Sequence, residues 1–154
     1  MDITKEIKKL NKCIEFIEFK DSKLIIYNEI FTLLYNNSFF NIFDNCKHRY
    51  NKKHECVICG IHKNTHFTFY YDKIVVINTM KMLMKCMNYV IKKAEKTELY
   101  HESEIYYDIY NILGHHAWSD IANHCKHEYK INKKYPSGRC EYCGTIKNGD
   151  INEK

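Results

Sequence analysis

The residues best able to do chemistry in this chain are its eight cysteines and nine histidines, and their spacing sorts them. Cys46-Lys47-His48-Arg49-Tyr50 is closed by Cys56-Val57-Ile58-Cys59-Gly60. The same order returns as Cys125-Lys126-His127-Glu128-Tyr129, closed by Cys140-Glu141-Tyr142-Cys143-Gly144. Each set offers three thiols and one imidazole. Zinc takes four such ligands in a tetrahedron, and three cysteines with one histidine form a common closed structural set. The expectation is therefore two structural Zn2+ ions. One is held by Cys46, His48, Cys56 and Cys59, the other by Cys125, His127, Cys140 and Cys143. His54 and His124 have no histidine counterpart in the other set and are left out. Cys13 and Cys86 match each other but stand alone on helical stretches, where a thiol reads as a small core residue.

The elements that carry these ligands also read as a pair. Ile26 to Tyr50 aligns without a gap on Ile105 to Tyr129, and nine of the 25 pairs are identical. Among them are Tyr27/Tyr106, Ile30/Ile109, Leu34/Leu113 and Ile42/Ile121, as well as the first two ligands. Further back, the apolar series Ile3, Ile7, Leu10, Ile14, Ile17 matches Val76, Met80, Leu83, Met87, Val90. Both step by four and three, which is one face of a helix. Each unit thus begins with an amphipathic helix, about 3–20 and 73–94. A second helix follows, about 23–36 and 102–113, with Gly114 as its expected stop in the second unit. Extra residues of the second unit fall near Ala94 to Glu104 and read as an enlarged loop. A short helical turn, Ser38 to Asn45 and Ala117 to His124, leads into each ligand set.

The hairpins that close the sets turn at Asn51-Lys52-Lys53 and at Pro136-Ser137-Gly138. Gly60 and Gly144 follow the last cysteine, where a knuckle favours a backbone angle glycine takes cheaply. Thr65 to Tyr71 reads as a strand or extended connector. The resulting fold class is mainly α with two small zinc-stapled β-hairpins, as two tandem helix-helix-zinc hairpin repeats. The units are 1–71 and 72–154. Units of that size bury little apolar surface, and a structural metal is a usual remedy.

At 45% hydrophobic and 28% charged residues the composition is that of an ordinary globular chain. The N-terminus is too polar for a secretory signal, and unbroken apolar runs reach only about four residues, so no membrane span is expected. An intracellular setting follows, in which paired cysteines with a histidine favour metal over disulfides.

The hairpins resemble the zinc-ribbon and zinc-knuckle group on the pattern C-x-H followed by C-x-x-C-G. That short form recurs in many small viral, phage and transcription-related proteins. The resemblance covers about 15 to 20 residues in each unit and implies a metal site and a hairpin. A usual ribbon has C-x-x-C at both ends, whereas the first pair here is C-x-H.

Charge is unevenly spread within a net +5. The first hairpin carries Lys47, Arg49, Lys52, Lys53 and Lys63 against Glu55. The second carries Lys126, Lys130, Lys133, Lys134, Arg139 and Lys147 against Glu128 and Glu141. Both are basic islands on a mildly acidic helical body. The first reading is a non-catalytic protein that associates with nucleic acid, DNA or RNA, as an accessory transcription or genome-handling factor. Lys52, Lys53, Lys133, Lys134, Arg49 and Arg139 would contact phosphate, and Tyr50, Tyr129 and Tyr135 would stack on bases. The second is a protein-interaction scaffold presenting Tyr100, Tyr106, Tyr107 and Tyr110 to a protein partner. The third is a nuclease of the HNH type, resting on His115, His116, Asn123 and His124. It lacks the acidic residue beside the leading histidine, and both ligand sets look closed.

Overall fold

The computed structural model describes residues 1–20, 24–64 and 71–147. Helix α1 spans Ile3–Phe19, and α4 spans Lys73–Lys96. Both are opened by an aspartate. Asp2 accepts from the Lys5 amide at 3.2 Å, and Asp72 accepts from the Ile74 amide at 2.8 Å. Such caps satisfy an amide that the first helical turn leaves without a partner. The stripes expected from the four-three spacing face inwards. Leu10, Cys13 and Ile17 of α1 are buried, as are Val76, Leu83, Cys86 and Val90 of α4, with Ile7, Ile14, Met80 and Met87 packed partly against them. Cys13 and Cys86 are core residues; burial pushes each thiol up to about 12, so neither ionises easily.

The second helices are longer than expected. Helix α2, Ile25–Thr32, runs through a π-helical turn, Leu33–Ser38, into α3, Phe39–Asp44. Helix α5, Tyr100–Ile112, runs likewise through Leu113–Ala117 into α6, Trp118–Asn123. The expected stops and separate short turns are therefore one continuous helix in each half. Gly114 does not end its helix. It lies inside the π-helical turn, where a Cβ would come within 3.2 Å of the Met87 Cε of α4. Close approach, not a left-handed backbone, is what the glycine supplies. The enlarged loop is also absent: α4 continues to Lys96 and α5 starts at Tyr100. Lys92, Lys93, Glu95 and Lys96 are good helix formers, and Lys93 and Lys96 sit in the last turn, where cations favour the helix dipole.

Helices from both halves share one core. Helix α1 packs on α2 and on α5, α4 packs on α5 and on α2, and the two π-helical turns meet each other. One cross-contact joins two aligned residues, and two ion pairs join a lysine of each long helix to an aligned pair of acids. The Tyr27 hydroxyl meets that of Tyr106, 79 residues on, at 3.2 Å. Lys85 of α4 reaches Glu29 of α2 at 2.8 Å, and Lys9 of α1 lies 3.8 Å from Asp108 of α5, the residue aligned with Glu29.

Helix α4 is long and apolar enough, by length and composition, to cross a membrane, with a mean hydropathy of 1.3 over 18 residues. The count of unbroken apolar runs passed over this, because Lys81 and Lys85 interrupt the runs without lowering the average much. In this fold its apolar stripe lies in the shared core.

The β structure is smaller than expected. Among the described residues one two-stranded sheet occurs, β1 Tyr129–Lys130 antiparallel to β2 Arg139–Cys140. The first hairpin has only isolated bridges, Tyr50 to Cys56 and Glu55 to His62. Residues 65–70 of the expected connector lie outside the described residues. Its last residue, Tyr71, forms a parallel bridge with Cys125.

Candidate metal centres

Each ligand set begins where a helix ends. The Cys46 amide donates to the Phe43 carbonyl at 3.0 Å, and the Cys125 amide to the Ala122 carbonyl at 3.2 Å. The chain then crosses to a knuckle that is built twice in the same way. The Gly60 amide donates to the Cys56 carbonyl at 2.8 Å, and the Gly144 amide to the Cys140 carbonyl at 3.0 Å. Both glycines have φ 79°, a left-handed angle that strains any residue with a Cβ. The Cys56 amide donates to Ile61 and the Cys140 amide to Thr145, both at 2.8 Å, which seals each knuckle.

This backbone brings all four side chains of each set together, with their ligand atoms within 4.8 Å of one another. Cys46 Sγ and Cys56 Sγ stand 3.9 Å apart, as do Cys125 Sγ and Cys140 Sγ. Cys59 Sγ lies 3.3 Å from His48 Nδ1, and Cys143 Sγ lies 3.3 Å from His127 Nδ1. A tetrahedral zinc with bonds of about 2.3 Å to sulfur has ligand edges of roughly 3.8 Å, so the donor set and its spacing fit the ion. The cysteines are buried, which would shelter the metal from water and competing ligands.

One thiol in each set is prepared to ionise. Burial opposes this at Cys56, but hydrogen bonds from the Cys59 backbone, the His48 ring and the Ile58 backbone outweigh it and bring the thiol down to about 5. At Cys140 burial is outweighed by the Cys143 backbone and the His127 ring, and the thiol falls to about 6. Burial, together with the neighbouring thiols, pushes Cys46 up to about 12 and raises Cys125 as well. A divalent cation would draw off these later protons, since thiolate is the ligand form.

Arg49, Lys52, Lys53, Lys133, Lys134 and Arg139 are all exposed. Two tips share a turn chemistry: Asn51 Oδ1 accepts from the Lys53 amide at 2.8 Å, and Asn132 Oδ1 accepts from the Lys134 amide at 3.0 Å. The Pro136 turn is closed by the Gly138 amide donating to Tyr135 at 3.0 Å, with φ 98° at Gly138. Arg139 is partly committed, because its Nε donates to the Gly144 carbonyl at 3.2 Å and its guanidinium lies over the Tyr135 ring. Tyr50 and Tyr129 pack beside His48 and His127, with ring centroids 5.6 and 5.3 Å apart. Their first partners are thus the imidazoles. Of the tyrosines on α5, Tyr106 is buried, Tyr110 half-buried, and Tyr100 and Tyr107 exposed.

Two of the four HNH-type residues are buried and hydrogen-bonded. His116 is buried between Asn41 Oδ1 at 2.9 Å and Glu6 Oε2 at 3.2 Å. His124 is also buried, with Nδ1 2.8 Å from the Asp120 backbone oxygen. His115 and Asn123 are exposed.

A third group of metal-competent side chains, Asp44, Asp120 and His124, was missed by the sequence reading. Asp120 is 1% exposed and receives Asn37 Nδ2 at 2.8 Å and Tyr71 OH at 3.0 Å on Oδ2. Its carboxyl is held above the usual range mainly by burial. The available signal was small: within the aligned stretch, Asn41 becomes Asp120 and Asn45 becomes His124.

Comparison of the chain with family models, with curated proteins and with solved structures finds no match.

Proposed function

We propose that this chain is a non-catalytic, zinc-stapled protein that associates with nucleic acid through its two basic knuckles. Cys46, His48, Cys56 and Cys59 hold one Zn2+, and Cys125, His127, Cys140 and Cys143 hold the other. Both are closed sets whose role is structural. The units 1–71 and 72–154 arose by duplication and fold against each other like the two protomers of a dimer.

The observation that carries the nucleic-acid reading is the exposure of Lys52, Lys53, Lys133 and Lys134 on equivalent asparagine-closed turns. Zinc holds each turn in place, so these cations are projected without a further backbone ordering cost, and phosphate is the partner such cations meet most productively. Arg49 adds to the first island, and Arg139 contributes less because it braces Gly144.

The test is binding of the zinc-loaded protein to labelled single- and double-stranded DNA and RNA across a salt series. Affinity should fall steeply with salt, and replacing the four tip lysines by glutamate should abolish it. On duplex DNA each lost phosphate contact should flatten the log–log salt slope by about 0.9. No binding at low salt would sink the reading.

A protein-interaction role is the second reading. Exposed Ile74, Val75 and Met84 on α4, with Tyr100 and Tyr107 on α5, favour it.

A further inference from the structure

We propose that the first knuckle is a site of oxidative modification. Its thiolates, with Cys59 in the lead, are oxidised by peroxides and let their ion go, while the second knuckle keeps its own. The inference rests on the reading of both ligand sets as zinc sites. Oxidation of a cysteine follows the charge on its sulfur and the access an oxidant has to it. The ligand atoms of the two sets are spaced alike, so a difference in reactivity must come from what surrounds them.

Three features separate those surroundings. The first is a hydroxyl. Thr145 Oγ1 lies 3.1 Å from Cys143 Sγ. A metal-bound cysteine carries no proton, so the hydroxyl is then the donor. A hydrogen bond to a thiolate stabilises the charge on sulfur and makes it a weaker nucleophile. The residue in the same place after the last cysteine of the first knuckle is Ile61, which has no hydroxyl. The second feature is a cover. Arg139 lies across the second knuckle: its Nε donates to the Gly144 carbonyl at 3.2 Å, and a Cβ at Gly144 would stand 3.0 Å from a guanidinium nitrogen. Glu55 takes that place in the first knuckle, and a Cβ at Gly60 would meet nothing within 4 Å. The third is exposure itself. Cys59 is 8% exposed against 2% for Cys143, and Cys46 and Cys56 exceed Cys125 and Cys140 in the same order.

The backbone adds to this. The second hairpin is held by a two-stranded ladder and the first by isolated bridges, so the first opens more readily around an oxidant. The step balances within the set. The Cys59 thiolate attacks one oxygen of hydrogen peroxide, the O–O bond breaks, and a sulfenic acid and a hydroxide form. A second thiolate, Cys46 or Cys56, then attacks the sulfenic sulfur and expels another hydroxide, leaving a disulfide. Each of the two sulfurs has lost one electron, and the peroxide has taken both. Ligand atoms within 4.8 Å of one another put either partner in reach. Thiolate is the ligand form, so the disulfide removes two of the four ligands, and His48 with one cysteine no longer closes a tetrahedron. The turn that carries Lys52 and Lys53 then loses its tether, whereas that of Lys133 and Lys134 keeps it.

The test uses the full chain loaded with zinc. Hydrogen peroxide is added, released zinc is followed with a chromogenic chelator, and disulfides are mapped by mass spectrometry after the remaining thiols are alkylated. Before peroxide the chain should carry two ions, one for each cysteine-rich set. One should leave first and the other about tenfold more slowly, the rate equivalent of one hydrogen bond to a charged group. The early disulfide should contain Cys59, with Cys125, Cys140 and Cys143 still open to alkylation. Thr145→Val removes the hydroxyl at nearly constant size and should speed the slower release. Ile61→Thr should slow the faster one, and both variants should still carry two ions before peroxide. Release of both ions at one rate, oxidation of Cys143 before Cys59, or an unchanged slow release in Thr145→Val would overturn the proposal while leaving the zinc sites standing. Fewer than two ions before peroxide would overturn the zinc reading and the proposal with it.

Discussion

The two knuckles agree closely in their sulfur–sulfur and sulfur–nitrogen distances, 3.9 and 3.3 Å in each. The seam where the helices of the two halves meet keeps its pairing but changes its residues: the aligned positions 37 with 120 and 116 with 41 meet as Asn37–Asp120 at 2.8 Å and His116–Asn41 at 2.9 Å. On one side Asn37, Tyr71 and His124 gather around the buried Asp120. On the other His116 lies between Asn41 and Glu6. Four side chains that converge on one point leave the backbone little freedom, so the two knuckles are alike. A polar seam needs only that each buried group find a partner, and different residues can meet that condition. The seam is therefore where the two halves differ in chemistry.

The largest effect separating these regions should come from metal removal. Strong chelation of the zinc-loaded protein should unfold both knuckles and lower the melting temperature steeply, because apparent zinc binding contributes on the order of 10 kcal/mol per structural site. Unchanged circular dichroism and melting would refute the structural role. The comparison sharpens with single variants. Cys59→Ser should expose the amides of 50–62 completely in hydrogen exchange, since only isolated bridges remain there. Cys143→Ser should leave partial protection at Lys130 and Arg139, which face each other in the ladder, and lose it at Cys140, whose amide bonds Thr145 within the knuckle.

The seam should respond next. Asp120→Ala removes the acceptor shared by the Asn37 amide and the Tyr71 hydroxyl and should cost about 1–3 kcal/mol in urea unfolding. Asp120→Asn, which copies the residue of the other half, should cost less. An equal cost for the two would mean that hydrogen bonding at this position is not what matters.

A smaller effect is expected at the pair of aligned tyrosines. Tyr27→Phe and Tyr106→Phe, combined in a double-mutant cycle, should show a coupling of about 0.5–1.5 kcal/mol. Tyr89 also contacts the Tyr27 hydroxyl at 3.2 Å, so Tyr106→Phe alone should be the milder change. Strict additivity would show that the contact across the halves contributes nothing.

Gly114→Ala should have the smallest effect. Its new methyl would meet only the flexible tip of Met87, and alanine is favoured over glycine inside a helix by about 1 kcal/mol. A slight stabilisation is expected. A loss above about 1 kcal/mol would show instead that the α4 contact tolerates no added volume.

Much of this was legible from residue types alone. Thiols and imidazoles at those spacings can converge on one ion with only local chain, so the ligand sets needed no knowledge of the fold. The four-three apolar steps of α1 and α4 fixed their buried faces for the same local reason. The helix ends were not legible, because Gly114 reads as a stop unless the nearness of Met87 is known. Nor was the charged stretch after Ala94, which reads equally as loop or as helix until its end packs on α5. Asp44, Asp120 and His124 lay furthest from view. Two of them sit on one helix and the third on another, and packing of the two halves is what brings them together. Local spacing carries ligand sets and amphipathic faces, whereas the partners of a buried carboxylate depend on which helices cross beside it.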